Sequence, residues 1–371
     1  MFFNTDKLVC PITKKKLLVI DYESFDIGEK KFLKKGVLYE PQSKYAYPVI
    51  NGVPVMLTFI TPLAQGFFRE YGKDIETRLG GSFRSPDMEP MPGEKSIQIT
   101  FTEEWGGLGD DEFTFAYSDD ELYELHKNVW LRMPQEELDS KKQVLNVGCG
   151  FGKEAMVLSK IFSNTTVHAI DLNLSVIQAG MNILEKTSGA VLPVIASLYR
   201  MPFQKNYFDH VHCQGVTHHT YSTEQAFYAI ESEVKEKGSI FMWVYAWEDS
   251  FGIPGLRGFL IHVYYFVSHR IFRPILSRSP EWFRKLCVHM IALPYHLLVS
   301  KRRAKHKDTW KYANTVHGIQ DMFTPRYAHR HRFNEVLTWY ERQGYHVSVQ
   351  SPLTYEKLTG KRLLGIGYVG R

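Results

Sequence analysis

The second half of the chain alternates short apolar runs with amphipathic stretches. The apolar runs predict buried strands, and the stretches between them have the spacing of one-sided helices. The predicted strands span 143–147, 166–170, 191–195, 210–213 and 239–245, and the predicted helices span 153–162, 175–186 and 223–235. Strands that alternate with helices of this length predict a parallel α/β sheet.

Beyond the fifth predicted strand the pattern changes. Residues 251–320 mix bulky apolar residues with basic ones, and we predict a helical insertion there. A helix over 333–343, stopped by Gly344, then leads to two closing strands at 345–349 and 363–369, separated by a loop. The insertion therefore lies between the fifth strand and the last helix of the α/β domain.

The first part of the chain is rich in strand signals. Apolar runs at 17–20, 36–39 and 47–56 are punctuated by Gly, Pro and Asn. A unit of about 50 residues has a marginal core when it stands alone. We predict a small β-rich domain at 1–60, a linker and helical lead-in at 61–140, and the α/β domain at 141–371.

The composition excludes several classes of protein. The first residues have neither the basic start nor the apolar run of a secretory signal, which favours a cytoplasmic location. No uninterrupted apolar stretch reaches the roughly 18 residues that a membrane-spanning helix needs. The cysteines form no CxxC pair, so we expect reduced thiols and neither a disulfide scaffold nor a cysteine zinc site. They are Cys10, Cys149, Cys213 and Cys287.

A glycine-rich turn follows the first strand of the α/β domain. Glycines at 148, 150 and 152 let the backbone pass close to a ligand, and free N–H groups at the start of the next helix favour its anionic end. The pattern is G-x-G-x-G, and Lys153 stands where a dinucleotide motif has its third glycine, so NAD is disfavoured. Asp171 ends the next strand, where a carboxylate can accept hydrogen bonds from both ribose hydroxyls.

Four ordered motifs resemble the class I S-adenosylmethionine-dependent methyltransferases related to the quinone methyltransferases. They are residues 144–152 (VLNVGCGFG), 169–175 (AIDLNLS), 200–203 (RMPF) and 207–219 (YFDHVHCQGVTHH). The resemblance covers about 140–250 and the closing helix and strands, and residues 321–327 (DMFTPRY) resemble a segment of several bacterial members. It implies a Rossmann-like, seven-stranded sheet and S-adenosylmethionine as the cofactor.

The resemblance also implies which residues bind the cofactor. The glycines would line its methionine part, Asp171 would hold the ribose, Leu172 would cover the adenine, and Gln214 with Gly215 would border the sulfonium. The family usually has an acid where Asn146 and Ser197 stand; both can still form hydrogen bonds but lose the charge. The complete predicted set is Asn146, Gly148, Cys149, Gly150, Gly152, Asp171, Leu172, Ser197, Leu198, Gln214 and Gly215.

Candidate catalytic residues follow the fourth strand of the α/β domain. Methyl transfer is an in-line displacement, and it needs a base only when the acceptor must lose a proton. A histidine suits that task, and His218 and His219 lie where an acceptor would approach. The alternative is that one packs in the core and the other caps a helix. Trp105, Tyr117 and His126 are candidates to close over the cofactor, or are simply core aromatics.

The small β-rich domain has a resemblance of its own. Residues 8–13, 36–43 and 47–57 resemble the Trm112-type zinc-ribbon domain that partners methyltransferases or is fused to them. That family binds zinc through CxxC pairs, whereas this chain offers Cys10 with Thr13 and Glu40 with Ser43. One thiolate cannot make a four-ligand structural site, so we expect the fold without a metal.

Charge is concentrated in the insertion. Residues 256–307 carry eleven Lys or Arg against one acid, Glu281, in a chain whose net charge is only +5. Such asymmetry is typical of contact with an anionic ligand, a membrane surface or nucleic acid. The apolar spacing in 256–273 and 282–300 predicts amphipathic helices. We expect a lid over the acceptor pocket; a dimerisation or packing element is the alternative, and the basic run 301–307 alone could be a solvated face.

These observations leave three functions open. The leading hypothesis is methyl transfer to a small-molecule acceptor, bulky or lipophilic, with peripheral membrane or anionic-ligand contact through 256–307. The rivals are an RNA or protein methyltransferase and a non-catalytic protein that keeps the fold. The sequence contains no evident RNA-binding module, and the basic residues accompany aliphatic ones, so nucleic acid is disfavoured. The oligomeric state stays open.

Overall fold

The protein contains two β-sheets with helices packed around the larger one. A computed structural model describes residues 1–106, 117–251, 254–300 and 311–371. A four-stranded antiparallel sheet forms at the N-terminus, and a seven-stranded mixed sheet forms the centre. The predicted α/β fold, with a small β-rich unit before it and a helical insertion within it, is confirmed.

The element boundaries are as follows. The strands are β1 Leu18–Ile27, β2 Lys30–Glu40, β3 Tyr45–Ile50, β4 Val53–Pro54, β5 Gln143–Val147, β6 Thr166–Asp171, β7 Val191–Ile195, β8 Phe208–Gln214, β9 Val234–Val244, β10 Val347–Val349 and β11 Ile366–Gly370. The helices are α1 Pro62–Leu79, α2 Glu94–Gly106, α3 Asp119–Leu125, α4 Gln135–Ser140, α5 Lys153–Ile161, α6 Val176–Lys186, α7 Thr223–Glu231, α8 Glu248–Phe251, α9 Gly255–Val267, α10 Arg273–Leu276, α11 Glu281–Tyr295, α12 Tyr312–Phe323, α13 Phe333–Arg342 and α14 Pro352–Thr359.

The central sheet has the strand order β10-β11-β9-β8-β5-β6-β7. Strand β5 pairs in parallel with both β6 and β8, while β11 runs antiparallel to its neighbours β9 and β10. Successive connections therefore leave β5 in opposite directions, first towards β7 and later towards β9. In open α/β sheets such a switch point opens a crevice at the carboxyl ends of the strands, where ligands bind.

Burial on both faces explains the continuous apolar strands. All five residues of β7 and four of the five in β5 are buried, because helices cover both sides of the sheet. Helices α5 and α6 each turn an apolar stripe inwards, for example through Leu158 and Ile183. This packing fixes the loop between β5 and α5, which carries the predicted cofactor glycines.

Several elements differ from the sequence prediction. The helix expected over 223–235 ends at Glu231, because the carbonyl of Glu233 accepts the N–H groups of Tyr207 and Phe208 and draws the chain into the sheet. Strand β9 therefore begins at Val234. The expected loop between the last two strands contains α14. In the predicted linker, Thr61 caps the 18-residue helix α1, whose first residue is a proline.

The N-terminal sheet packs directly on the central domain. The N–H of Met56 donates to Ile195 at the end of β7, and the N–H of Val9 donates to Pro202. The ammonium of Lys14 donates to the carbonyl of Met201 at 2.6 Å. Apolar side chains of both sheets share one buried cluster. The larger domain therefore supplies the packing that a unit of this size lacks on its own.

The positions that correspond to zinc ligands in the resembled family form hydrogen bonds here. The Glu40 carboxylate accepts the backbone N–H groups of Gln42 at 3.0 Å and of Ser43 at 2.7 Å, and it closes the turn between β2 and β3. The Cys10 thiol lies 3.3 Å from the hydroxyl of Tyr47.

The insertion is helical, as expected. Helix α11 packs on α12 through a small apolar cluster that includes Val288, Ala292 and Ile319. The basic run 301–307 lies outside the described residues. Across the described ranges, no helix is both long and apolar enough to cross a membrane.

Candidate functional site

A large cavity opens at the carboxyl ends of β5, β6 and β8. Its volume is about 1420 Å³. A pocket for one drug-sized ligand is typically about 300–1,000 Å³, so this cavity has room for a cofactor and a second molecule. Side chains from the lead-in helices, the central sheet and the insertion all line it.

The three glycines of the loop are required by the backbone and by packing. Their φ values are +78° at Gly148, +53° at Gly150 and +82° at Gly152, a region that side chains disfavour. A Cβ on Gly148 would lie 2.1 Å from Val216, and one on Gly150 would lie 2.5 Å from Trp105. The loop is therefore closely packed as well as open to a ligand.

Only part of this loop faces the cavity. Gly148 and Cys149 line it, whereas Gly150 and Gly152 do not. On Gly152, a Cβ would meet Ile183 of α6 at 2.6 Å. Gly150 and Gly152 therefore make room for protein side chains, and their contact with the methionine part of the cofactor stays a prediction.

Asp171 lies on the cavity wall at the end of β6. Its carboxylate accepts the N–H of Gly150 at 2.8 Å on one oxygen and the N–H of Asn173 at 2.9 Å on the other. Burial raises the pKa of this carboxyl, although these bonds oppose the shift. Each carboxylate oxygen can accept a second hydrogen bond, so the fixed group can still bind ligand hydroxyls.

Of the residues predicted to contact the adenine and the sulfonium, most line the cavity and one does not. Leu172, Leu198, Gln214 and Gly215 line the cavity, but Ser197 does not. The hydroxyl oxygen of Ser197 instead accepts the N–H of Tyr199 at 3.1 Å and holds the turn after β7. Ser197 therefore supports the wall locally, without facing the cavity.

A carboxylate that the sequence motifs did not single out takes part in this site. Asn146 is fully buried and does not line the cavity; its side-chain amide donates to Glu154 at 2.7 Å. Glu154, in the first turn of α5, does line the cavity. An acid in the first turn after a glycine loop was the available signal, because the helix N-terminus favours negative charge there.

Two histidines hold this carboxylate from the other side. His126 Nε2 lies 3.0 Å from a Glu154 oxygen, and His212 Nε2 lies 3.4 Å from the same oxygen. His126 Nδ1 donates to the carbonyl of Leu122 at 2.8 Å, which fixes the orientation of the ring towards Glu154. Burial opposes ionisation of Glu154, yet the two histidines hold its pKa below the usual value.

The same three side chains are also a plausible ligand set for a metal. One atom from each of His126, Glu154 and His212 lies within 4.8 Å of the others. Two imidazoles and a carboxylate are common ligands of zinc and other transition metals. Hydrogen bonds to His126 and Asn146 hold the Glu154 carboxylate, whereas neither ring nitrogen of the buried His212 has a hydrogen-bond partner among the described residues.

The structure separates the two predicted catalytic histidines. Both follow β8 in a short 3₁₀ turn, but only His219 lines the cavity. His218 is completely buried, and its ring packs against Tyr245 with 4.0 Å between centroids. The geometry therefore favours His219 as the candidate base, whereas His218 packs in the core, which is the alternative considered for one of the two histidines.

The hydrogen bonding of His219 favours the tautomer in which Nε2 is unprotonated and can accept a proton. Its Nδ1 donates to the carbonyl of Tyr327 at 2.8 Å, which leaves the Nε2 lone pair of the neutral ring directed elsewhere. Nε2 lies 3.4 Å from a carboxylate oxygen of Asp321. Burial lowers the pKa of His219, with Asp321 opposing the shift, and thereby favours the neutral ring. A neutral imidazole beside a carboxylate can accept a proton.

Polar groups near His219 come from segments without a recognisable motif. The other oxygen of Asp321, on α12, accepts the hydroxyl of Tyr245 at 3.0 Å. On α2, Glu104 is buried with a carboxylate oxygen 3.2 Å from His317 Nδ1, and burial raises the pKa of Glu104 well above its usual value. Helix α12 therefore brings Asp321 and His317 to the cavity, which sequence reasoning missed.

The aromatic candidates also lie at the cavity. Trp105, Tyr117 and His126 all line it. The Trp105 ring contacts Phe151 of the glycine loop, with 5.7 Å between centroids. The hydroxyl of Tyr117 lies 2.6 Å from that of Tyr355 on α14.

Comparison with known sequences identifies the central part of the chain. Residues 145–242, 98 of 371, match the methyltransferase domain family. These residues run from β5 to β9 and include the glycine loop, Asp171 and His219. This part of the chain is therefore similar to a methyltransferase domain, in a family that normally uses S-adenosylmethionine. A search of curated proteins finds no significant match.

Solved structures give only distant similarities. An O-methyltransferase family protein from Burkholderia thailandensis is 13% identical with a TM-score of 0.38, over 68% of this chain and 54% of that one, so the match spans about half of its length. An S-adenosylmethionine-dependent methyltransferase from Mesorhizobium loti is 12% identical (TM-score 0.36; 64% and 94% covered). A complex of the Haloferax volcanii Trm112 methyltransferase activator is 11% identical (TM-score 0.36; 74% and 96% covered). Similarities this low carry no conclusion about substrate or partner.

Proposed function

We propose that the protein transfers a methyl group from S-adenosylmethionine to a bulky, lipophilic small molecule. One observation carries the proposal: Asp171 and the glycine loop lie together on a large cavity at the strand switch point of a matched methyltransferase domain. Ribose recognition by an acid at the end of the second strand is the expected arrangement for a nucleoside cofactor at this place.

The residues present fit this cofactor. A Cβ on Gly215 would meet no atom within 4 Å, so the wall is open at the predicted sulfonium position. Asp171 would hold the ribose hydroxyls, and the Glu154 carboxylate would attract the ammonium of the methionine part. When bound, S-adenosylmethionine supplies a methyl group that its sulfonium has already activated. Glu154 would replace the charge that Asn146 lacks.

His219 is the proposed base for an acceptor that must lose a proton. Its Nε2 would take the proton as the methyl group is transferred, and the Asp321 carboxylate would stabilise the resulting imidazolium. The Nδ1 bond to Tyr327 keeps the ring in the required orientation. Phe101, 5.4 Å from the His219 ring between centroids, helps to exclude water from this part of the cavity.

The size and lining of the cavity support a bulky acceptor. Its volume of about 1420 Å³ exceeds what one ligand requires. Phe101, Trp105, Tyr199 and Tyr245 line the cavity with aromatic rings, which bury large apolar area, and the rings of Phe101 and Tyr245 lie against His219. A lipophilic molecule with a single polar group at His219 fits this combination.

The N-terminal sheet is, in this proposal, a Trm112-like unit fused to its methyltransferase. Two observations support it: the sheet docks at the β7 edge of the central domain, and Glu40 closes the turn where the resembled family places a zinc ligand pair. The hydrogen bonds of Glu40 would take over the role of the metal in holding that turn.

Labelled methyl transfer tests the acceptor class. The protein is incubated with S-adenosylmethionine labelled in the methyl group and with lipid, RNA or protein fractions of cells. The proposal predicts label in the organic phase, lost in Asp171→Ala. Label in RNA or protein would contradict it in favour of those acceptors. Cofactor binding without label in any fraction would instead favour a non-catalytic protein.

A further inference from the structure

The insertion concentrates the exposed apolar surface of the molecule. Of the 26 large apolar side chains exposed in the described parts of the chain, 16 lie between residues 256 and 298. Among the most exposed are Trp282 and Met290, each at 68%. Soluble monomers rarely expose large contiguous apolar patches, and those that they do expose mark interaction sites.

The exposed residues follow the period of two helices. On α9 they include Leu256, Phe259, Val263 and Phe266, spaced three or four residues apart, so they share one face. This face has no cover among the described residues.

Helix α11 repeats the arrangement. Trp282, Leu286 and Leu293 are exposed on its outer face, while Val288 and Ala292 are buried against α12. The helix is thus apolar on both sides, although only the inner side has a partner within the described part of the chain. A helix that is apolar on both faces is normally buried on both. The outer face of α11 therefore indicates an apolar partner outside the molecule.

The charge of this surface distinguishes between two possible partners, a second copy of the chain and an anionic membrane. Arg270, Arg278 and Lys285 are exposed within the same segment, and residues 256–307 carry a net charge of +10 by sequence. In a two-fold dimer, identical basic surfaces would face each other and repel. An anionic phospholipid surface attracts them, while their aliphatic stems and the apolar residues enter the boundary with the acyl chains.

We propose that α9 and α11 dock the protein on an anionic membrane, lying in its surface. Helical backbone continues beyond α9 through residues 268–276 and beyond α11 through residues 296–300, yet no helix of the described residues is both long and apolar enough to cross a membrane. Helix α12 connects this surface to the cavity through His317 and Asp321. If the proposed function holds, a lipophilic acceptor enters the cavity from the bilayer.

Vesicle flotation tests the docking directly. The full-length protein is mixed with vesicles of phosphatidylcholine alone or with equimolar phosphatidylglycerol. We expect binding to the anionic vesicles, weaker binding to the neutral ones, and loss at high salt. The double variants Phe259→Ser/Phe266→Ser and Trp282→Ser/Leu286→Ser should each reduce binding at least about tenfold, because in each of them two exposed apolar side chains no longer enter the lipid.

The matched control removes the same number of exposed apolar side chains elsewhere. Leu18→Ser/Leu353→Ser changes two exposed residues outside the insertion and should bind vesicles like the wild type. Absence of wild-type binding to anionic vesicles overturns the proposal, and a dimer that dissociates in the α9 variant would identify a second copy as the occupant. S-adenosylhomocysteine titration of each variant keeps this result separate from the proposed function, since docking can fail while cofactor binding persists.

Discussion

The side-chain amide of Asn146 on β5 donates a 2.7 Å hydrogen bond to Glu154 on α5. The strand position where the resembled family carries an acid is thus tied to a carboxylate in the first turn of the following helix. Glu154 lines the cavity and Asn146 does not. The negative charge is therefore carried by the following helix in this protein, next to the strand position that is acidic in the resembled family. The His126 and His212 rings keep this charge in place.

Removal of the Glu154 carboxylate should therefore weaken cofactor binding. Glu154→Gln is expected to weaken S-adenosylmethionine binding at least about tenfold, the loss of one charge-assisted contact. The double variant Asn146→Asp/Glu154→Gln places an acid at a buried strand position that does not line the cavity, so its affinity should stay low. Calorimetric titration measures both, with the exposed Glu185→Gln on α6 as control. Wild-type affinity in Glu154→Gln would remove Glu154 from the cofactor site.

His219 should give methyl transfer a characteristic pH dependence. Burial lowers the pKa of His219 below its ordinary value of 6.5, so activity should rise with pH through that lowered pKa and level off before pH 7. His219→Gln should reduce kcat by about 10²–10⁴-fold with little change in cofactor affinity. The exposed His346→Gln is the control. An unchanged pH profile in His219→Gln would exclude His219 as the base.

A comparison of alanine variants at Gly215 and Gly80 can separate the effect of backbone strain from the effect of weaker cofactor binding. Its φ of +78° makes Gly215→Ala strained, by about 1–2 kcal/mol, and the new methyl group would project into the open cavity. We expect reduced stability and weaker S-adenosylmethionine binding. Gly80→Ala, at φ +63° and equally open, should cost similar stability and leave binding intact. Equal binding in the two variants would place the cofactor elsewhere.

Glu40 should stabilise the N-terminal sheet. Glu40→Ala removes the acceptor of two backbone N–H groups and should lower the free energy of unfolding by about 1–3 kcal/mol. Burial opposes ionisation of this carboxyl, but bonds from Ser43 and Gln42 hold its pKa below the usual value. Its contribution is therefore present above the unfolded pKa and lost as pH falls through the lower folded pKa. Urea unfolding at several pH values measures this, with the exposed Glu29→Gln as control.

Local signals predicted the fold well where pattern and packing agree. The predicted strand at 143–147 and the predicted helix after Gly152 match β5 and α5 almost residue for residue. A strand that is buried on both faces needs a continuous run of apolar residues, and such a run is visible in the sequence. The end of α7 was misplaced since the sheet pairing of Glu233 and Val234 depends on β8, a partner that local spacing does not reveal.

The candidate site was less accessible to sequence reasoning. Asp171 stands in a motif, and the sequence indicated it directly. Glu154 and His212 become recognisable as site residues only through their contact with each other. Their side chains meet only after β5, β8 and α5 have packed. Asp321 belongs to a helix of the insertion, and no motif links its carboxylate to His219 across a separation of 102 residues.

Calorimetric titration of the purified protein with S-adenosylmethionine and S-adenosylhomocysteine tests the central claim most directly, with wild type compared with Asp171→Ala and with Asp26→Ala as a control outside the cavity. Micromolar-range binding by the wild type and the control, abolished in Asp171→Ala, is the result that the account predicts. No binding of either ligand by the wild type, or equal binding by Asp171→Ala, would contradict it.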